Sequence, residues 1–484
     1  MVVQEEFFID GAWRRPASSE WVRVICPSTE EVVGEVPDAG ATDVDAAVNA
    51  ARRAFENGRW PAMPVAERAA VLLEALGFLQ SGSAEIARIV TTEMGAPLTF
   101  TQQLIPAALA AGRYFVDVAQ RLATAEIRRT TACPVAVLKE PVGVVASIAP
   151  WNGPFNMAIA KIVPALMTGC SVVYKPAPET PLDAFHIAAA LNRAGLPPGI
   201  FNLITGNAQA GRALVSHPQV DKVSFTGSTG AGREIGRECG ASFKRLQLEL
   251  GGKSAAIVLD DADVAVTMGG LAAGCFANSG QVCAAYSRVL LPNSRYREFT
   301  EALVATAEAF VVGDPFEPTT TMGPLVSARQ RERVLSYIDI GKAEGARVAT
   351  GGAAPAELDT GFYVQPTVFV SADNSMRICR EEIFGPVVSV LGYDTLEEAI
   401  AIANDSEYGL HGAVFTADPE RAAQVARRVR TGTFSVNSFT YNIEAPFGGV
   451  KNSGVGRDTG REAVESFYEL KTVNLGESME PLFS

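Results

Sequence analysis

Histidine is scarce in this chain: 484 residues contain three, His186, His217 and His411. A histidine-based catalytic triad has little material, and no Gly-x-Ser-x-Gly turn is present to seat a serine nucleophile. His186 lies in a helical run and His217 precedes a proline, so both read as surface or helix-end residues. Paired cysteines are lacking as well. The seven cysteines, Cys26, Cys133, Cys170, Cys239, Cys275, Cys283 and Cys379, are odd in number, scattered and without a Cys-x-x-Cys spacing. They signal neither a disulfide framework nor a zinc site, and no metal is expected. No run of Lys or Arg is long enough to make a basic patch, and 41 basic against 54 acidic residues leave a formal charge of −13. A phosphate backbone would be repelled, which excludes nucleic acid as the expected partner. Clean membrane spans are missing too. The uncharged stretch 141–160 is broken by Pro141, Pro150, Asn152 and Pro154, and the stretch 264–287 by glycines, Asn278, Ser279 and Gln281. Both read as buried core or loop. Glu5, Glu6 and Asp10 stand where a secretory signal would carry basic and then apolar residues, so the expected home is cytoplasmic.

What is present is the composition of a globular protein, 48% hydrophobic and 20% charged, long enough for two to four domains with a cleft between them. Val44, Ala47, Val48, Ala51 and Phe55 recur at helical spacing behind a Thr42-x-x-Asp45 start that resembles a capping box. Apolar runs at 142–148, 171–174, 201–203 and 220–225 then read as buried strands, separated by helical stretches at 156–167 and 182–194. A second alternating half begins near Ser254, with a strand at 255–259, helices around 294–311 and 327–345, and short strands to Phe415. The expected fold is α/β, two doubly wound halves of nucleotide-binding size. Residues 123–140 and 468–475 read as extended chain that fits neither half. Such strands either pair with another chain or form an edge hairpin within the subunit.

Cys283 stands out among the cysteines because polar and flexible residues crowd its uncharged surroundings, Phe276-Ala277-Asn278-Ser279-Gly280-Gln281-Val282-Cys283. A thiol of ordinary pKa, about 8.5, is only a few per cent thiolate at neutral pH and needs a base or electropositive backbone nearby. Glu249 is the candidate. In 243–250 the leucines alternate onto one strand face and throw Glu249 onto the other, just before Gly251-Gly252. The segment Phe225-Thr226-Gly227-Ser228-Thr229-Gly230-Ala231-Gly232 follows a strand and opens a helix, the setting in which a helix N-terminus receives a phosphate. Its order is GxxGxG, not the usual GxGxxG. Glu249 also lies 22 residues past Gly227, where the usual fingerprint assigns an acid to the ribose. Spacing alone leaves both roles for Glu249 open.

In order along the chain come Ala149-Pro150-Trp151-Asn152, Tyr174-Lys175-Pro176, Phe225-Thr226-Gly227-Ser228-Thr229-Gly230, Leu248-Glu249-Leu250-Gly251-Gly252-Lys253, Asn278 to Cys283, Glu381 to Pro386 and Pro446-Phe447-Gly448-Gly449. Together these resemble the aldehyde dehydrogenase superfamily over essentially the whole chain. The resemblance implies that Cys283 is the nucleophile, Glu249 the general base, and the Asn152 amide an oxyanion donor alongside the Cys283 backbone N–H. Lys175 matches the lysine that binds the adenosine ribose and is counted with the catalytic set. Gly227 and Ser228 would meet the pyrophosphate, Glu382 the nicotinamide ribose, and Phe384, Ile148, Trp151 and Leu250 would line the cofactor. Residues 1–118 with 142–251 would bind NAD(P), 252–453 would form the catalytic domain, and 119–141 with 454–484 an oligomerisation element of a homodimer or homotetramer.

Two departures shape the expectation. Many NAD-preferring members carry glutamate three residues after the lysine; here Pro178 holds that place and Glu179 follows, so NAD is expected with NADP left open. Small residues at Gly153, Ala160 and Ala277 widen the aldehyde tunnel, while Phe155, Val282, Tyr441 and Phe447 line it. That implies a medium or bulky apolar or aromatic aldehyde. The alternatives are an acylating, coenzyme A-dependent semialdehyde dehydrogenase, disfavoured by Glu249, and a non-catalytic binding protein that keeps the fold.

Overall fold

The computed structural model describes residues 2–476, so Met1 and the last eight residues of the expected 454–484 element lie outside the described residues. Two large sheets organise the chain. The first has eight strands, and its centre is five parallel ones, in spatial order Arg245–Glu249, Lys222–Thr226, Val144–Ile148, Ser171–Lys175 and Phe201–Leu203. Val144–Ile148 and Ser171–Lys175 are buried at every position, as their Val- and Ile-rich sequences require of central parallel strands. Strand order reverses beside Val144–Ile148, which opens a crevice between its C-terminal end and that of Lys222–Thr226. The second sheet has seven strands, with Thr367–Val370, Val387–Tyr393, Arg288–Pro292, Ala255–Val258, Gly412–Phe415 and Ser435–Val436 parallel and Arg347–Thr350 antiparallel at one edge.

The helices expected from periodicity are found at Pro154–Met167, Asp183–Arg193, Tyr296–Glu308 and Ala328–Ala343. The first helix needs a correction. It spans Ala41–Glu56 with Gly40 as its cap, and the acid that reaches back is Asp43, accepting from the Gly40 N–H at 3.0 Å, not Asp45 from a Thr42 cap. Asp43 also accepts from the Ala17 N–H at 2.7 Å, a tie that local spacing could not reveal. The two segments without a home in either half pair with each other: Tyr468–Asn474 lies antiparallel to Pro134–Pro141, which pairs with Ala125–Arg129 in a separate three-stranded sheet. Before reaching it, the chain adds Gly454–Val455 to the first sheet, opposite Leu248 and Glu249. Among the described residues no helix is long and apolar enough to cross a membrane.

Candidate active site

The C-terminal rim of the first sheet carries most of the residues singled out by sequence. Ile148 is in register with Lys175 on one side and Phe225 on the other, and Thr226 is in register with Glu249. Past these strand ends the chain turns into helices. Gly153 precedes Pro154–Met167, where Pro154 takes a first-turn position that needs no N–H partner. Ser228 caps Thr229–Ser242, its Oγ accepting from the Ala231 N–H at 3.3 Å. That helix start is open: a Cβ built on Gly230 would meet nothing within 4 Å, and the buried Thr226 Oγ1 beside it has no hydrogen-bond partner. Lys175 is buried with its Nζ donating only to the Pro176 carbonyl at 3.2 Å, and burial lowers its pKa to about 8, against the opposing charges of Glu179 and Asp38.

The N-terminal rim of the second sheet faces this one. Helix Val264–Phe276 breaks into the turn Ala277–Gly280, where Asn278, Ser279 and Gly280 take φ of 49°, 56° and 70°. Two non-glycine residues in the left-handed region are costly, and the surroundings fix them. Ser279 Oγ donates to the Gly323 carbonyl at 2.8 Å, Gln281 Oε1 accepts from the Val326 N–H at 3.0 Å, and a Cβ on Gly280 would fall 2.1 Å from the Gly385 carbonyl oxygen. Cys283 emerges from this locked turn. The rims are tied across the gap: the Asn152 amide donates to the Gln281 carbonyl at 2.9 Å, and the Asn278 amide returns a bond to the Asn152 carbonyl at 3.0 Å. Asn152 keeps its second amide hydrogen for another acceptor. Glu382 closes the pocket, its Oε1 accepting from the Gly252 N–H at 3.0 Å, while Phe384 meets Trp151 edge to face at 5.2 Å.

The electrostatics are those of a dry cleft. Burial first, then the charges of Glu382 and Glu249, push the Cys283 thiol up to about 12. Burial first, then the charge of Asp458, hold the Glu249 carboxyl well above the ordinary range. Burial raises Glu382 to about 7. Tyr441 and Phe447 pack edge to face at 4.9 Å, leaving Tyr441 44% exposed at the mouth.

Phe155 requires correction: it has no exposed surface and packs in the interior cluster of the first half, because its place in the first turn of Pro154–Met167 points it inward. Ala160 is also interior, and Ile148 and Leu250 belong to a second interior cluster, Leu250 lying where a Cβ on Gly232 would stand. The helix 154–167 is buried everywhere except at Asn156 and Met157, two residues that sequence reasoning passed over; Met157 packs against the same interior cluster and Asn156 fills the space beside Gly153. That reasoning also passed over Lys161 and Asp458, a buried ion pair at 3.2 Å whose acid receives the Gln247 amide and raises Glu249. A single lysine in an otherwise apolar helix was the available signal.

With the site in view, the relatives become informative. The profile of the aldehyde dehydrogenase family matches residues 13–473. The chain belongs to that family. It is 43% identical over 473 residues to a geranial dehydrogenase of Castellaniella defragrans (strain DSM 12143 / CCUG 39792 / 65Phen), covering 97% of this chain and 98% of that one. A 3-succinoylsemialdehyde-pyridine dehydrogenase from a Pseudomonas species is 42% identical, with 97% and 98% covered. The crystal structure of a Mycobacterium tuberculosis aldehyde dehydrogenase complexed with NAD+ superimposes with a TM-score of 0.96 at 44% identity, covering 99% of both chains. The α/β fold with parallel sheets is thus the fold of this family of enzymes.

Proposed function

We propose that this aldehyde dehydrogenase family member oxidises a medium-sized or bulky apolar aldehyde to its carboxylic acid, with NAD as cofactor and water as the final acyl acceptor. The observation that carries the reading is the meeting of Cys283, Glu249 and the free Asn152 amide hydrogen in one cleft between facing sheet rims. The fit to a dinucleotide rests on the open helix start at Ser228, the unpartnered Thr226 Oγ1, Lys175 at its strand end and Glu382 on the opposite rim. NAD, when bound, supplies the acceptor for the hydride that the aldehyde carbon loses. Glu179 lies close enough to Lys175 to raise its pKa, and a carboxylate there disfavours the extra phosphate of NADP.

The residues divide the chemistry. Ionised Glu249 takes the Cys283 thiol proton and passes it to solvent water as Sγ bonds to the carbonyl carbon, and the carbonyl π pair moves to the oxygen, whose negative charge lies beside the Asn152 amide and the Cys283 backbone N–H. After oxidation the acyl group is held as a thioester. Glu249, ionised, takes a proton from water as the water oxygen bonds to the acyl carbon; the C–S bond then breaks and the acid departs. The retained Glu249 argues for water over coenzyme A. The aromatic pair Tyr441 and Phe447 at the mouth favours an apolar substrate, as does the likeness to a geranial dehydrogenase.

Purified protein with NAD or NADP, a panel of aldehydes, and coenzyme A present or absent tests this at 340 nm. Turnover without coenzyme A, strongest with NAD and hexanal or benzaldehyde, is expected. Turnover only with coenzyme A would move the chain to the acylating class, and a preference for acetaldehyde of about tenfold or more in kcat/KM would overturn the substrate class. The separate sheet of Ala125–Arg129, Pro134–Pro141 and Tyr468–Asn474, with Leu470 exposed, supports assembly into a dimer or tetramer. Monomers in sedimentation would exclude it.

A further inference from the structure

None of the three histidines enters the chemistry above, and His411 is the most thoroughly enclosed of them. It lies beside the second sheet's N-terminal rim, buried, its ring stacked on Tyr286 at 5.5 Å and 12°. Tyr286 follows Cys283 by three residues and has no exposed surface. Its ring fills a slot left by a missing side chain: a Cβ on Gly274 would stand 2.2 Å from it. Phe439 meets both rings edge-on, at 5.2 Å from Tyr286 and 5.8 Å from His411.

The hydrogen bonds form a directed chain. Tyr286 Oη donates to the Ser438 carbonyl at 2.9 Å, which leaves Oη as an acceptor for His411 Nε2 at 3.2 Å. Ser435 Oγ lies at the same 3.2 Å from Nε2. On the far side Nδ1 stands 2.6 Å from Thr433 Oγ1. With its hydrogen on Nε2 the neutral ring donates to Tyr286, and the Thr433 hydroxyl, which also lies 2.9 Å from the Leu410 carbonyl, turns to Nδ1 while that carbonyl keeps the Thr433 N–H at 3.0 Å. Burial lowers the His411 pKa to about 4, consistent with that neutral form.

Both ends of the chain matter to the proposed site. Tyr286 belongs to the segment of the nucleophile, and Ser438 opens the irregular stretch that carries Tyr441 and Phe447. The far end of that stretch is held by the paired bonds of Phe447 with Asp458 at 2.7 Å and by Gly460 donating to Ile443 at 2.9 Å. Its near end is held at Asn437, which donates to the Val414 carbonyl, and then by Tyr286.

We infer that Tyr286 and His411 are positioning residues that brace the Tyr441–Phe447 wall against the Cys283 segment and so set which aldehydes the pocket accepts. The inference rests on the proposed function and deepens it. Tyr286→Phe keeps the ring in its slot and removes the Oη bonds. The expected result is a rise of about fivefold in KM for hexanal and benzaldehyde, the scale of one hydrogen bond, with kcat and the acetaldehyde constants within about twofold. His411→Phe should reproduce the shift, His411→Gln, which restores a donor, should lessen it, and the Tyr286→Phe/His411→Phe double variant should exceed neither single change, because the two act as one unit. Loss of acetaldehyde and hexanal turnover in parallel, or an unchanged ratio between them, overturns the inference. A second readout needs no turnover: the rate of Cys283 alkylation by N-phenylmaleimide relative to iodoacetamide. A shifted ratio in Tyr286→Phe supports the brace and an unchanged one overturns it, even if the unmodified protein oxidises no aldehyde in the panel, an outcome that would count against the proposed function separately.

Discussion

The two parallel sheets are built alike but used from opposite ends. The first follows the rule for open α/β sheets: its functional residues gather at the C-terminal ends of strands, at the point where strand order reverses. The second offers its N-terminal ends. Cys283 precedes Arg288–Pro292, Glu382 precedes Val387–Tyr393, Gly252 precedes Ala255–Val258, and His411 precedes Gly412–Phe415. The rule describes where a strand–helix unit leaves backbone N–H groups free, and that suits phosphate binding. Cys283, the proposed nucleophile, would have a different need, a fixed side chain in an enclosed place, and the strained turn held by Ser279, Gln281 and Gly280 meets it. Facing a C-terminal rim with an N-terminal one also lets the chain pass between sheets in the five residues 250–254.

Four experiments sharpen this division, beginning with the largest effect. Cys283→Ala removes the one group on the second rim that forms a bond, and turnover should fall on the order of 10⁴-fold or more while NAD affinity, held mainly by the first rim, stays within about twofold. A parallel loss of NAD binding would mean the rims do not divide the work. Glu249→Gln on the first rim should cost about 10²–10⁴ in steady state and slow the burst of NADH as well, because the same carboxylate serves the thiol and the water; a burst at full rate would confine Glu249 to the water step. The pH profile carries the same sign: with its folded pKa raised, Glu249 stays protonated to higher pH than an ordinary carboxyl, so deacylation should climb with pH above the ordinary carboxylate range, and a flat profile would remove Glu249 from the role of base. Asn152→Ala should cost about 10²–10³ in kcat, since it removes an oxyanion donor and a tie between rims; an effect on KM alone would reassign it to substrate binding. Glu382→Ala should do least, raising KM for NAD about tenfold with little change in alkylation of Cys283. A larger loss in alkylation rate would show that the second rim depends on Glu382 for its shape.

Much of this arrangement was legible in the sequence, and the misses have physical reasons. Phe201–Leu203 was bounded to the residue because a short buried strand between a proline-rich turn and Gly206 leaves no other reading. The strand carrying Glu249 was legible from the alternation of Leu246, Leu248 and Leu250. Phe155 was misassigned because a motif gives a position along the chain but not the face of a helix, and one residue of shift turns a side chain by about 100°. Lys161 and Asp458 are 297 residues apart, and the Tyr286–His411 contact spans 125, so neither pairing leaves a local trace. The cap at Asp43 was missed by two residues because Asp45 offered the same chemistry at a familiar spacing.

Ser453 adds a mechanical consequence to the short passage between the sheets. Its carbonyl accepts from the Leu250 N–H at 3.0 Å, its hydroxyl donates to the Gly251 carbonyl at 2.7 Å and accepts from the Gly409 N–H at 3.0 Å. One small side chain thus rivets the end of the first sheet, the crossing, and the lead-in to a strand of the second. A crossing so fastened is no hinge. The two halves are expected to keep their mutual angle through a catalytic cycle, so that molecules must come and go by threading, with the travelling parts being the ligands and the side chains they brush past.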